Sequence, residues 1–388
     1  MFSFNDDDYV TEYRPRKHGG PSNTVLILLI VLVLLVFAVS VTAIVYLLKS
    51  PAGPTPSPSE TTDPPQSTTE NPSQTTTAPV TEPQQPQVGL SFYGTPIDTV
   101  EIYRGDLILV NSNYPYNFTA NAEKDSKVTD LYNIWKPYPN YCYKLTGTKV
   151  KTLPFLGNYL NTFFDAFLTD TGKKDYLVTS CFRTYEIQEE TLKEMIEKYG
   201  SEETALRYTA KPGYSEHHTG LAMDVYVFTD DQITYKLGEA KMPDVYNWIY
   251  ENAPKYGFIQ RYKAAKESIT GYAEESWHFR YVGTPHAEII EENGFCLEEY
   301  IDFLRGYSYP NYLSYEAANG KSYLIYYEPV KTETVVIPEV RDENGNLITP
   351  VSTAEQFPEK STLHLPNNAS YTVSGNNVDG FIVTITLD

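Results

Sequence analysis

The chain has 388 residues, which suffices for two folded domains and accessory segments. Its formal net charge of -20 argues against nucleic acid as a partner, because phosphate recognition requires a clustered basic surface. The three cysteines, Cys142, Cys181 and Cys296, leave room for one disulfide bond at most. They exclude a disulfide-dense small secreted domain and a Cys-rich structural zinc site.

An uncharged apolar segment, residues 24–48, follows a polar stretch at residues 1–23. As a helix it is about 37 Å long, enough to cross a hydrocarbon core of about 30 Å with some tilt. Three basic residues precede the segment and only Lys49 follows it closely, so the positive-inside rule predicts a cytoplasmic tail and an extracellular remainder. A cleaved signal peptide is the alternative, for which the apolar run is too long. We therefore expect a single-pass transmembrane helix and a location at the cell membrane.

Residues 49–88 are rich in Pro, Thr, Ser and Gln and have almost no large apolar side chains. Such a composition buries too little surface to offset the entropy of ordering, so the segment is predicted to be a disordered linker. In a polyproline-like state of about 3 Å per residue it reaches on the order of 100 Å. This length suits a tether that holds a folded domain away from the bilayer, for instance within a cell wall. A linker without a tuned length fits equally well.

Residues 89–307 are predicted to form one domain in which strands and helices are interspersed. The predicted strands lie at 100–103, 107–110, 176–180, 223–228 and 275–281. The predicted helices lie at 159–168, 186–199, 244–256 and 287–305. Because the order shows neither a regular βαβ rhythm nor a Gly-rich phosphate loop, it favours an α+β fold over a doubly wound one.

Residues 308–388 read as a small all-β domain without a catalytic constellation. The predicted strands lie at 322–327, 334–337, 371–373 and 381–386. The predicted turns lie at 319–320, 344–345 and 374–377, where Asn and Gly residues are concentrated. Such a domain either binds a wall polymer or stabilises its neighbour, and the sequence leaves both roles open.

Two histidines and an aspartate are candidate metal ligands: His217, Asp224 and His278. Three protein ligands with a fourth position for water are typical of catalytic zinc, whereas structural zinc usually has four ligands. Gly220 lets the backbone turn between His217 and Asp224. Glu275 precedes His278 by three residues, where it can take a proton from a metal-bound water and pass it to the leaving amine.

His278 lies on a predicted strand whose neighbouring aromatic residues, Trp277 and Phe279, are expected to face the opposite side. On such a strand, the imidazole of His278 lies on one face and an aromatic packing layer lies on the other. Two alternatives remain open, since His218 is the adjacent competitor of His217 and Glu274 is that of Glu275. Two further histidines are interpreted as ordinary structural residues, His286 and His364.

The pattern Ser215-x-His217-x-x-Gly220-x-Ala222-x-Asp224, followed by Glu275-x-x-His278, resembles the zinc D-alanyl-D-alanine carboxypeptidases of the VanY type. These belong to the LAS metallopeptidases, which have the D,D-dipeptidases and the hedgehog fold as relatives. Residues 180–184, Ser-Cys-Phe-Arg-Thr, resemble the Ser-Gly-Tyr-Arg-Ser block of the family, and Gln188 takes the place of its downstream glutamine. The resemblance extends over about residues 95–306.

The resemblance implies a LAS/hedgehog-like zinc peptidase domain with Zn²⁺ bound by His217, Asp224 and His278. It implies that Glu275 is the catalytic base and that Arg183 contacts the scissile carbonyl or the terminal carboxylate.

The resemblance also implies that Ser215 and Gln188 line the substrate cleft. The ordinary alternatives are a surface salt bridge for Arg183, a turn hydroxyl for Ser215 and a helix-surface amide for Gln188. Cys181 stands where glycine is common in the family. A nucleophilic thiol at this position requires its own histidine base, and the best histidines are assigned to the metal.

These observations predict a membrane-anchored, extracellular zinc carboxypeptidase that removes the C-terminal D-alanine from peptidoglycan stem peptides. An L,D-carboxypeptidase acting on tetrapeptide stems is the alternative within the same class. From other classes, a non-catalytic zinc-containing wall-binding module and an adhesion protein acting through residues 308–388 remain open, although a free Glu275 has no use in a structural zinc site.

Overall fold

The computed structural model describes residues 89–343, 347–349 and 351–387. The predicted cytoplasmic tail, transmembrane helix and linker, together with the turn at 344–345, lie outside these residues. Within the described ranges, no helix combines the length and the apolar character that a membrane crossing requires.

The elements of the described residues alternate irregularly, as an α+β fold does. The strands are β1 (Phe92–Asp98), β2 (Thr129–Asp130), β3 (Lys144–Leu145), β4 (Lys151–Thr152), β5 (Tyr176–Ser180), β6 (Ala222–Thr229), β7 (Gln232–Lys236), β8 (Phe258–Tyr262), β9 (Glu275–Tyr281), β10 (Leu313–Glu316), β11 (Ser322–Pro329), β12 (Glu333–Ile337), β13 (Val340–Arg341), β14 (Leu347–Thr349), β15 (Ser352–Gln356), β16 (Lys360–Pro366), β17 (Ser370–Gly375) and β18 (Gly380–Leu387).

The helices of the described residues are mostly short. The α-helices are α1 (Phe118–Asp125), α2 (Tyr132–Trp135), α3 (Pro154–Thr171), α4 (Tyr185–Tyr199), α5 (Glu202–Ala205), α6 (Trp248–Asn252), α7 (Glu267–Thr270), α8 (His286–Glu292) and α9 (Leu297–Leu304). The 3-10 helices are Thr99–Tyr103, Glu216–Thr219, Asp244–Asn247, Ala253–Tyr256 and Ala264–Lys266.

A six-stranded sheet with the order β3-β5-β6-β9-β8, in which β7 also pairs with β6, forms the centre of the catalytic part. Apart from the parallel pair β3–β5, its strands are antiparallel. Helix α3 begins with Pro154 and ends before Gly172, whose φ of 71° no other residue adopts as easily. Its apolar face, including Leu160 and Phe163, is fully buried in the core that lies against this sheet.

The C-terminal part contains a four-stranded antiparallel sheet with the order β10-β11-β18-β17. Helices α8 and α9 pack on this sheet, and residues of both parts share one buried core that includes Ile289, Ile301 and Ile325. The first described strand, β1, pairs with β16 over seven residue pairs. The C-terminal segment is thus connected to the catalytic part by a core and by a strand pair.

Two strand predictions near the beginning of the described chain are wrong. Residues 99–103 form a 3-10 helix, and residues 107–110 are buried but belong to no strand. The reason is that side chains satisfy the backbone of this segment. Arg280 Nη2 donates to the carbonyls of Asp106 and Ile108 at 2.9 Å each, and Asn377 Nδ2 donates to that of Leu109 at 2.7 Å.

Two predicted helices are interrupted in the structure. The region 244–256 consists of two 3-10 helices with α6 between them, and the region 287–305 is divided into α8 and α9 around Gly294. Gly294 has a φ of 64°, which ends a helix without strain. The remaining helices and strands predicted above are confirmed, with ends that differ by a few residues.

Candidate metal centre and active site

The loop that carries His217 is shaped by a capping serine and a glycine. Ser215 precedes the 3-10 helix Glu216–Thr219, and its Oγ accepts a hydrogen bond from the backbone N–H of His217 at 3.3 Å. Gly220 ends this helix with a φ of 68°, and a Cβ there would lie 2.7 Å from Leu153 Cδ1. Only glycine therefore fits the turn that leads from His217 into β6.

The three predicted ligands converge at the centre of the sheet. Asp224 on β6 lies directly opposite His278 on β9 in the strand register. One ligand atom from each of His217, Asp224 and His278 lies within 4.8 Å of the others, and all three residues are buried. Among the described residues, this is the one group of His, Cys, Asp and Glu side chains that converges in this way.

In His217 and in His278, the ring nitrogen that points away from Asp224 is hydrogen-bonded to another group. His217 Nδ1 lies 2.6 Å from the carbonyl oxygen of Cys181, and His278 Nε2 lies 3.4 Å from Glu216 Oε2. His217 Nε2 and His278 Nδ1 consequently face Asp224, at 3.3 Å and 3.1 Å from its carboxylate oxygens. Two oriented imidazoles and a carboxylate are a donor set that fits a catalytic zinc ion.

The electrostatics of the centre also favour a cation. Burial opposes a charge on His278, but hydrogen bonds to Asp224 and Glu216 raise its pKa to about 9. For His217, burial and the charge of Arg183 lower the pKa to about 4. The side of the centre next to His278 therefore stabilises positive charge, whereas His217 offers a neutral nitrogen.

Glu275 is buried beside His278, with Oε2 at 3.8 Å from Nδ1 of the imidazole. Burial raises the pKa of Glu275 to about 7. Its neighbour Glu274 is exposed at the rim of the cleft. The geometry thus favours Glu275 over Glu274 as the group that exchanges a proton next to the metal.

His218, the alternative to His217, is held by backbone groups on both sides. Its Nδ1 donates to the carbonyl of Arg183 at 2.8 Å, and its Nε2 accepts from the N–H of Gly213 at 3.0 Å. Neither nitrogen is left for a metal. Cys181 is fully buried and burial raises the pKa of its thiol, so its contribution to the centre is the carbonyl that orients His217.

Arg183 is fixed in front of the centre by three side chains. Its Nε donates to Ser180 Oγ at 2.8 Å, Nη1 to Gln188 Oε1 at 3.3 Å and Nη2 to Asp224 Oδ2 at 2.5 Å. Gln188 is fully buried and its Nε2 donates to the carbonyl of Ala210 at 2.8 Å. The amide is therefore not on a helix surface, and it positions the guanidinium.

A cleft of about 400 Å³ opens over the centre, and the three predicted substrate-cleft residues line it: Arg183, Gln188 and Ser215. Its outer wall contains Trp277, whose ring lies 3.5 Å from Lys236 Nζ and stacks on Tyr226 with centroids 6.4 Å apart. Of the two aromatic neighbours of His278, Phe279 lies in the buried core as predicted, whereas Trp277 is half-buried in the cleft wall.

Comparisons with known proteins agree with this geometry. The family model of VanY, D-alanyl-D-alanine carboxypeptidase, matches residues 157–284. A D-alanyl-D-alanine carboxypeptidase of Enterococcus faecium is 31% identical over 313 residues, which cover 78% of this chain and 84% of that protein. The chain belongs to this family. It is therefore a peptidase, and thus a hydrolase.

Two further relatives show how far the likeness extends. A D-alanyl-D-alanine carboxypeptidase of Enterococcus faecalis is 38% identical over 152 residues, and the chain spans about half of its length, 53%. The crystal structure of the vancomycin-resistance D,D-dipeptidase VanXYg, in complex with a D-Ala-D-Ala phosphinate analogue, is 29% identical. It covers 76% of this chain and 100% of its own, with a TM-score of 0.59.

The carboxypeptidase contains one group of residues that sequence reasoning missed. Glu216 is fully buried, and its Oε1 accepts from Arg261 Nε at 2.8 Å and from Arg280 Nη1 at 2.9 Å. Arg261 also binds Glu298 through two hydrogen bonds, at 2.6 Å and 2.8 Å. We refer to these four residues as the arginine cluster. It lies directly behind His278, to which Glu216 is hydrogen-bonded.

The charge state of Glu216 follows from its partners. Burial alone would raise its pKa, but Arg261 and Arg280 hold the pKa of this carboxyl well below its usual range. Glu216 is therefore an ionised acceptor that orients His278, the role that carboxylates have behind metal-bound imidazoles. One signal was visible in the sequence, because Arg280 follows His278 by two residues and shares its face of β9.

Proposed function

We propose that the protein is a membrane-anchored, extracellular zinc D,D-carboxypeptidase that removes the C-terminal D-alanine from peptidoglycan stem peptides. The observation that carries this proposal is the convergence of His217, Asp224 and His278 with Glu275 beside them in one cleft. The relatives named above act on D-alanyl-D-alanine by their descriptions, which supports the same substrate here.

Zinc bound to these ligands lowers the pKa of a water molecule toward about 7 and polarises a carbonyl oxygen. The residues of the chain supply the remaining parts of the reaction. Glu275 accepts a proton from the attacking water and delivers it to the amine of the leaving D-alanine. Because Glu275 is buried, bulk water does not compete for this proton.

Arg183 binds either the terminal carboxylate of the substrate or the oxygen that gains negative charge during attack. Ser180 and Gln188 hold its guanidinium in place before the substrate arrives. A charged group that is already oriented costs little reorganisation during the reaction, so it stabilises developing charge effectively. Ser215 and Trp277 lie in the wall of the same cleft and contact the peptide chain there.

The anchoring and the extracellular location rest on the apolar segment 24–48 and on the basic residues that precede it. The linker at 49–88 supports a site of action in a cell wall, at a distance from the bilayer. Protease treatment of intact cells tests this part of the proposal. Removal of the catalytic part without lysis supports an outside location, and protection of the whole chain contradicts it.

The activity is tested with the full-length protein in detergent, loaded with zinc and incubated with a muramyl pentapeptide and with the corresponding tetrapeptide. We expect loss of one D-alanine from the pentapeptide, detected by mass spectrometry. In Glu275→Gln, kcat falls by about 10²–10⁴ with bound zinc unchanged. Cleavage of the tetrapeptide instead makes the protein an L,D-carboxypeptidase. Zinc binding without cleavage of either peptide overturns the enzymatic proposal in favour of a binding module.

A further inference from the structure

A second cleft, of about 900 Å³, lies between helix α3 and the C-terminal sheet. We name it the aromatic cleft. Its lining includes Asp106, Phe155, Asn158, Tyr159, Tyr281 and Thr372. None of these residues belongs to the metal centre or to the cleft above it. The aromatic cleft therefore needs an explanation of its own.

One wall of the aromatic cleft consists of aromatic rings that the protein core does not require. Phe155 and Tyr159 are four residues apart on α3 and are 36% and 44% exposed. Both contact Tyr281, with ring centroids 5.8 Å and 4.9 Å from it. The opposite face of α3 already supplies the buried side chains, so these rings present flat apolar surfaces to a ligand.

Polar side chains lie beside these rings. Asp106, Asn158 and Thr372 line the cleft, and the last two are exposed to solvent, where a ligand can reach them. Burial raises the pKa of Asp106, while the nearby charge of Arg280 opposes this effect. A partly buried carboxylate is costly to keep charged, and a ligand that donates a hydrogen bond to it lowers that cost.

This combination selects the chemical class of the ligand. Aromatic rings stack on the C–H face of a sugar, while a carboxylate, an amide and a hydroxyl bond to its hydroxyl groups. The charges of Asp106 and Lys255 oppose each other in the lining, so the cleft offers no field of one sign to a phosphate or a polycation. Its volume is at the upper end of ligand pockets of about 300–1,000 Å³, which leaves room for several sugar rings.

We infer that the aromatic cleft binds a glycan strand of N-acetylated amino sugars, the part of the wall polymer that carries the stem peptides. The choice of sugar rests on the proposed function. Tyr281 follows His278 by three residues on β9, so the two side chains leave opposite faces of the strand, and the aromatic cleft does not open onto the metal centre. A glycan held in the aromatic cleft therefore keeps the enzyme attached to the polymer, while the metal centre on the other face acts on stem peptides of neighbouring glycan strands.

The test is a titration of the full-length chain with the tetramer of N-acetylglucosamine, followed by NMR or calorimetry. We expect saturable binding that Tyr159→Ala weakens by about tenfold or more, because the stacking surface is lost. Tyr93→Ala is the matched control. Tyr93 is 49% exposed on β1 and does not line the cleft. We therefore expect the Tyr93→Ala variant to bind the tetramer with an affinity within about twofold of the native value.

A second measurement separates this inference from the proposed function. On a sugar-free pentapeptide, Tyr159→Ala keeps the native kcat/KM, whereas on intact peptidoglycan its rate of D-alanine release falls. Failure of the native enzyme to hydrolyse the free pentapeptide overturns the proposed function and leaves the binding titration valid. The inference itself is overturned if the native chain shows no saturable binding of the tetramer, or if Tyr159→Ala binds it as tightly as Tyr93→Ala.

Discussion

The metal centre and the arginine cluster lie on two sides of His278 and are built from similar charged side chains, yet their charges are balanced differently. The arginine cluster combines two carboxylates with two guanidinium groups, and its ion pairs are hydrogen-bonded. The metal centre combines two carboxylates with one guanidinium, which leaves a negative excess when both imidazoles are neutral. The raised pKa of His278 reflects the same demand for a cation. Charge balance, more than residue type, therefore distinguishes the structural site from the functional one.

The largest expected effect comes from unbalancing the arginine cluster. Arg280→Met leaves Glu216 with one guanidinium and frees the carbonyls of Asp106 and Ile108, so we expect the free energy of unfolding to fall by about 3–5 kcal/mol. Urea denaturation measures this change. Arg183→Met is the matched variant at the metal centre. In the zinc-loaded protein it should change stability by less than about 1 kcal/mol while lowering kcat/KM by about 10² or more. Equal stability losses in the two variants contradict the comparison.

A smaller effect is expected where the two sites meet. Glu216→Gln weakens the orientation of His278, so we expect zinc affinity to fall by about 10–100-fold, measured by competition with a chelator. Glu298→Gln removes a carboxylate from the same cluster without touching His278, and its zinc affinity should stay within about threefold. If both variants lose zinc equally, the contact between Glu216 and His278 has no specific role.

The smallest expected effect is the contribution of the arginine cluster to the pH dependence of the unfolding free energy. Burial opposes ionisation of Glu298, but Arg261 and hydrogen bonds hold its pKa below the ordinary value of 4.5. A lowered folded-state pKa means that this contribution to stability is present above pH 4.5 and is lost as the pH falls further. Each unit of pKa difference corresponds to about 1.4 kcal/mol. Glu298→Gln should therefore show a flatter decline of unfolding free energy below pH 4.5, and an unchanged slope contradicts this assignment.

The metal centre was predictable because its ligands and its base lie close together in two short segments of the sequence. His217 and Asp224 belong to one loop and the strand that follows it, and Glu275 and His278 belong to one strand. Two local segments and one strand pairing, Asp224 opposite His278, were enough to bring the ligands together. The enzyme class was implied by the family resemblance that these patterns carry, and it is confirmed. The irregular order of strands and helices predicted a mixed fold of both, which the structure has.

The arginine cluster and the backbone of residues 107–110 could not be predicted in the same way. Arg261 and Glu298 are far from Glu216 in the chain and are of types that usually face solvent, so nothing local indicates that they are buried with it. Only Arg280, on the same face of β9 as His278, gave a local signal. The apolar run at 107–110 carries a strand-like pattern, but long-range donors from Arg280 and Asn377 satisfy its carbonyls. Tertiary contacts override local propensity in both cases.

The pairing of β1 with β16 has a mechanical consequence. Residues 1–88 join the described chain directly before β1, so a pull from that side reaches β1 first. β1 passes the load through its antiparallel hydrogen bonds to β16, in the C-terminal segment, and not to β6 or β9. Under the proposed anchoring, tension that enters through β1 is shared with β16 before it reaches the strands that hold the metal ligands, so the geometry of the reaction centre is kept while the chain is under load.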